Sequence, residues 1–254
     1  MDNSQPRWTE IEHLPEWDEE FYDVYTAKKF GKWVMLKTLK PKYRDNPEYD
    51  DMIEREFDVR YNLAHPNIVM INDFEDVPGI GRCIITDDVY GDSLRKLLDN
   101  GKLTEAHVAK LRDQLVSAID YIQTNHIAHH QLRSDRIIFT ENIGNLKLID
   151  VGFEQRPSLT PAEAADDIRD YGRIILETLD RSGIHDPHLR HVAERCVDRN
   201  PSRRIRDVHH LRMALENRRS NRLYLIIIIF LIVMVALLAW LQSPYRPAFP
   251  AANP

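Results

Sequence analysis

A chain of 254 residues, 43% of them hydrophobic, has room for about one folded domain and is too apolar to be disordered throughout. Its formal charge of −6 argues against a nucleic-acid partner, which calls for a basic face. Cys83 and Cys196 lie far apart in apolar stretches, as reduced thiols of a cytosolic domain do, and not as a disulfide scaffold.

In chain order, Met1–Trp8 has no apolar run, so no cleavable signal peptide is expected. Runs of strand character follow at Phe21–Ala27, Trp33–Leu39, Val69–Phe74 and Cys83–Thr86. Ile53, Phe57 and Tyr61 recur at helical spacing and predict a helix over Asp50–Leu63. Thr104-Glu-Ala-His107 reads as a helix N-terminus, followed by an apolar stripe of Val108, Leu111, Leu115, Ile119 and Ile122. Ile137–Phe139 and Leu146–Ile149 predict a hairpin across Asn142–Asn145, and helices are expected over Asp167–Leu179, His188–Val197 and Val208–Glu216. Strands with one helix, then helices with one hairpin, describe a two-lobed α+β fold.

Leu223–Leu241 has no charge, Gly or Pro and would span roughly 28 Å as a helix, against a hydrocarbon core of about 30 Å. A single transmembrane helix is therefore expected, with the bilayer as one partner. Arg218, Arg219 and Arg222 precede it in a basic segment, 217–222, and only Arg246 follows. The large domain is accordingly expected on the cytoplasmic side and the Pro-rich tail, 242–254, outside.

A series of spaced motifs extends over about Trp8–Glu216. Val34-Met-Leu-Lys37 stands ahead of Glu56, which lies ten residues before Pro66. Thr86-Asp-Asp-Val89 precedes Gly91-Asp-Ser-Leu94. Ile127–Ile138, Asp150-Val-Gly152, Asp167–Gly172 and Asn200-Pro-Ser-Arg-Arg204 follow. In this order they resemble the protein kinase family. The resemblance implies a small lobe over 8–86 and a helical lobe over 87–216. It also implies a nucleotide cleft built from Lys37, Glu56, Asp150, Val24, Met35, Thr86, Asp87, Val89 and Ile138.

Several parts that the family's chemistry needs are missing. No glycine lies between Met1 and Phe30, and the phosphate-loop glycine positions fall at about Trp17, Glu19 and Tyr22. There Asp18, Glu19 and Glu20 would repel a triphosphate. Gln131 stands where the family has its catalytic aspartate, and an amide is no base at neutral pH. Arg133 is a further degenerate position of the catalytic loop, and Arg136 replaces the asparagine that would hold a second magnesium. Asp167 follows Gly152 by only 15 positions, and a short Asp180–Pro187 link leaves no clear helix G. The peptide platform therefore looks deleted, which leaves Arg204 without its usual glutamate.

No catalytic residue set is intact, and no cofactor is required, although ATP with Mg²⁺ on Lys37 and Asp150 stays open. Met35, larger than the family's alanine, suits a filled slot instead. Arg60 puts charge where the family has an apolar residue, which would weaken coupling between lobes. Arg136 is expected to pair with Asp150 across the vacated magnesium site. His185, His188 and His191 read as solvated and not as a metal site, and His129 and His130 as a structural histidine and a replaced arginine. Three functions follow: a membrane-tethered pseudokinase scaffold for cytosolic or membrane signalling proteins, a divergent Ser/Thr kinase, or a non-catalytic nucleotide sensor.

Overall fold

The structure, a computed structural model, describes residues 6–128, 131–141 and 144–242, with 217–224 and 240–242 described by backbone alone. His129, His130, Asn142 and the 243–254 tail, on which expectations were placed, lie outside the described residues. The chain forms two compact units, Met1–Leu211 and Arg212–Pro254.

The first unit begins with β1 (Trp8–His13), β2 (Tyr22–Lys29) and β3 (Lys32–Leu39), then α1 (Pro47–Tyr61), β4 (Ile71–Val77) and β5 (Gly81–Asp87). These strands form one antiparallel sheet in the order β1-β2-β3-β5-β4. β1 escaped the sequence reading because its polar residues show no buried face, and its register shifts between Thr9 and Glu12. Asn46 caps α1 through the Glu48 N–H, and Pro47 occupies the first turn, where a missing N–H costs nothing. Ile53 of α1 packs with Tyr22, Leu39, Ile71 and Ile84 of the sheet, which fixes the helix that carries Glu56.

Next come β6 (Gly91–Ser93), α2 (Leu94–Asp99), α3 (Glu105–Thr124), β7 (Ile127–Ala128), β8 (Ile137–Thr140), β9 (Leu146–Leu148) and β10 (Glu154–Gln155). The expected hairpin is present as β8–β9, and the expected N-terminus of α3 is a reciprocal cap between Thr104 and His107. α4 (Pro161–Ser182) starts six residues before the expected Asp167, because Thr160-Pro-Ala-Glu163 forms a complete capping box. That signal stands in the sequence. Apolar periodicity alone begins the helix at Asp167, because the first turn, Pro161–Asp166, carries no bulky apolar residue. α4 ends at Gly183 in the left-handed conformation, φ 68°. α5 (Pro187–Cys196) packs against it where Gly172 leaves room: a Cβ there would meet Cys196 Cβ at 2.6 Å and the Ala193 carbonyl at 2.8 Å.

α6 runs over Val208–Gln242 and does not stop near Glu216. Val208 and Leu211 are buried in the first unit. In the second unit the described side chains from Leu225 to Leu238 are exposed. Among the described residues no helix is long and apolar enough to cross a membrane. The described apolar run, 225–239, amounts to roughly 22 Å of helix. The side chains of Leu223, Tyr224, Trp240 and Leu241, which complete the expected span, lie outside the described ones.

Candidate functional site

Lys37 sits in the middle of β3, paired across to Val24 of β2 and Ile84 of β5, so its side chain leaves the sheet toward α1. Its Nζ lies 2.8 Å from Glu56 Oε1, a residue that the resemblance sets in the same cleft. It lies equally close, 2.8 Å, to Glu19 Oε2 and stands 4.1 Å over the Tyr22 ring. Burial acts to lower the Lys37 pKa, but the carboxylates of Glu19, Glu56 and Asp150 outweigh it and hold the ammonium above its ordinary value. Burial likewise opposes ionisation of Glu56, and Lys37 and Arg60 reverse that, keeping its carboxyl below the usual range. Tyr22 is raised, first by its burial and then by Glu56. It is a buried first residue of β2 and not a loop position, which corrects its placement among the phosphate-loop positions.

Arg60 corrects a second expectation. It is only 3% exposed, donates to Glu56 Oε1 at 2.6 Å and reaches the Ile149 carbonyl at 3.1 Å. A charge in place of an apolar residue thus links α1 to the strand end before Asp150 instead of loosening the lobes. Pairing with Glu56 offsets its desolvation.

The connection between β1 and β2 folds into the cleft. Leu14 N–H donates to the Val24 carbonyl, a short turn follows over Pro15–Trp17, and Asp18 Oδ1 accepts from Val24 N–H at 3.0 Å. Trp17 then packs, as Ile149 does, against Val69, Val89 and Ile138. With Val24, Met35 and Thr86 it lines a remaining cavity of about 40 Å³. A water needs about 10–15 Å³ on this measure, so the space suits a few waters and not a purine. In the 86–89 stretch the Asp87 carbonyl accepts from the Thr86 hydroxyl, and Asp88 accepts from Val89 N–H. Asp87 gives its carboxylate to Lys32 and Asn72 at the surface.

Arg136 donates to the carbonyls of Trp17 (3.2 Å) and Asp18 (3.3 Å), with Asp135 at 3.6 Å and Glu19 at 3.9 Å. The expected pairing with Asp150 gives way to this arrangement, because the infolded loop presents acceptors directly to the guanidinium. Asp150 accepts from Gly152 N–H at 3.4 Å and adds to the field on Lys37.

Gln131 belongs to a different neighbourhood. With its amide oriented to satisfy both ends, its oxygen accepts from Arg173 Nη2 of α4 at 3.1 Å. Arg173 also holds the Leu132 carbonyl and Asp170, and Asp170 accepts from Leu132 N–H at 2.8 Å. Arg133 is a surface residue bound through both its Nε and Nη2 to Asp135. The structure therefore gathers Lys37, Glu56, Val24, Met35, Thr86, Val89 and Ile138 around one cleft and places Gln131 and Arg133 apart from its filling. The sequence set Trp17 and Glu19 at phosphate-loop positions, but not as the groups that fill the cleft: Glu19 pairs with Lys37 and Trp17 packs on its apolar wall. The available signal was a bulky aromatic and a carboxylate where only glycine permits close approach.

The family profile described as protein kinase domain matches residues 20–171. Serine/threonine-protein kinase 36 of Pongo abelii is 32% identical over 140 residues, 54% of this chain and 10% of that protein. PknD of Mycobacterium tuberculosis is 31% identical over 121 residues, 46% of this chain and 18% of its own. PrkC of Bacillus subtilis is 30% identical over 141 residues, 54% of this chain and 22% of its own. The match thus spans a quarter or less of each of these relatives. The crystal structure of the Mycobacterium tuberculosis PknI kinase domain superposes with a TM-score of 0.59 over 83% of this chain and 96% of that one, at 20% identity, a likeness of fold alone. With a two-lobed fold, a buried Lys37–Glu56 pair and a profile match across more than half its length, this chain belongs to the protein kinase domain family.

Proposed function

We propose that the chain is a membrane-anchored pseudokinase that works as a signalling scaffold or binding module, without phosphoryl transfer. The observation that carries this reading is the filled cleft. Glu19 holds Lys37 where a phosphate would need it, and Trp17 lies against the apolar wall of Val69, Val89 and Ile138. A carboxylate in contact with Lys37 competes with nucleotide phosphates for the same cation, and Gln131 supplies no base. The apolar run continued by Leu223, Tyr224, Trp240 and Leu241, with Arg218, Arg219 and Arg222 before it, supports a single span with the kinase-like unit on the cytoplasmic side. Its partners are then cytosolic or membrane signalling proteins.

Thermal unfolding of the full chain with and without Mg-ATP tests the reading, together with a single-turnover autophosphorylation assay. No thermal shift and no incorporated phosphate are expected. Phosphate incorporation that is lost in Lys37→Met overturns the scaffold in favour of a divergent kinase. A second reading, the nucleotide sensor, is favoured by one observation: Glu56 and Asp150 both still act on Lys37. A magnesium-dependent shift without phosphate transfer selects it, since a ligand at 100 times its dissociation constant adds about 2.7 kcal/mol.

A further inference from the structure

We propose that the face formed by the end of α5, the connection after it and the start of α6 docks onto anionic lipid headgroups. The proposal rests on the membrane-anchored reading above. From Arg190 to Arg212 the chain has seven arginines and no lysine against three carboxylates, Glu194, Asp198 and Asp207. The 189 residues before them carry 36 acidic and 23 basic side chains. A chain that is acidic as a whole thus concentrates positive charge at the end from which α6 departs.

The fold brings these arginines together. Ile205 N–H donates to the Arg195 carbonyl at 3.0 Å, which fastens the connection to α5, and Arg203 and Arg204 N–H both donate to the Asn200 carbonyl. Arg195, Arg199, Arg203 and Arg206 are exposed. A groove of about 500 Å³ runs between His191, Arg195, Ser202 and Arg203, with Glu194 and Asp198 on its walls. Among the described residues, Arg195, Arg199 and Arg203 have no carboxylate partner. Arg112, Arg173 and Arg190 on the same lobe each have one. Unpaired guanidinium groups are suited to phosphate and carboxylate oxygens.

Chain continuity identifies the anion. The apolar run begins at Leu225, 14 residues after the buried Leu211, and Arg218, Arg219 and Arg222 lie between them. With that run in a bilayer, the 13 residues 212–224 tether the first unit to the leaflet on its own side. A leaflet containing acidic lipids attracts clustered arginines within about one Debye length, some 8–10 Å at ordinary salt.

The full chain is reconstituted into nanodiscs of phosphatidylcholine alone or with one-third phosphatidylserine, and its arginines are labelled with phenylglyoxal and read by mass spectrometry. Labelling of Arg195, Arg199 and Arg203 should fall several-fold in the anionic discs and recover at high salt, with the exposed Arg55 of α1 unchanged. Arg203→Glu should weaken the protection of Arg195. Equal labelling in both disc types, in a chain that has entered the discs, overturns this proposal alone. A chain that never enters either disc overturns the anchor and this proposal with it.

Discussion

A carboxylate and a phosphate make the same demand on a buried lysine, and in this chain the carboxylate is covalently present at all times. Replacing Glu19 by alanine removes one of two anions 2.8 Å from Lys37 Nζ and leaves Glu56. Because Glu56 remains and water can enter, the loss of stability should be about 1–3 kcal/mol, below the cost of stranding a fully buried charge. The same variant should gain a Mg-ATP-dependent rise in melting temperature that the parent lacks, measured by scanning fluorimetry with and without nucleotide. The pairing of Lys37 with Glu56 was legible in the sequence because the spacing of the motifs fixes both on facing elements. The roles of Glu19 and Trp17 were not, since a loop without periodicity gives no sign of which way it folds. Arg136 was misread for a related reason: its acceptors are backbone carbonyls, which no side-chain pattern announces.

At the scale of the element, α4 offers two tests. Glycine in a helix interior is ordinarily about 1 kcal/mol worse than alanine. At Gly172 the balance reverses, because an added methyl collides with Cys196 and the Ala193 carbonyl of α5. Gly172→Ala should lower stability by about 1–3 kcal/mol in urea unfolding, the usual range for overpacking. Asp167, also on α4, is pushed up to about 7, first by burial, with Gln123 opposing and Asp170, Asp166 and Glu163 adding to it. The folded state therefore holds a proton that the unfolded chain gives up near pH 4. Stability contributed by this group is present below pH 4 and is lost as pH rises through about 7. Asp167→Asn should flatten that decline in a pH series of unfolding curves. The existence of α4 was readable from its motif and periodicity, whereas its true start required the local cap.

At the scale of the whole molecule, the order of lobes was legible because strand and helix periodicities separate cleanly along the chain. The length of α6 was not, because the sequence reading treated the end of the folded unit and the apolar run as separate segments. Deleting 223–241 should move the chain from the membrane pellet to the supernatant on carbonate extraction, with its melting temperature changed by less than a few degrees. That expectation follows from a first unit whose core ends at Leu211.

Arg60 and Arg136 cross the cleft in opposite senses. One leaves the sheet-bearing lobe for the Ile149 carbonyl, and the other leaves the helical lobe for the carbonyls of Trp17 and Asp18. An enzyme that turns over must open and close between substrate and product, and each of these charged hydrogen bonds adds about 1.5–3 kcal/mol to the cost of opening. What an enzyme would lose in turnover, a docking protein gains in economy. On the scaffold reading proposed above, a partner meets a cleft whose opening is already opposed, so less of its contact energy goes into ordering the surface it binds.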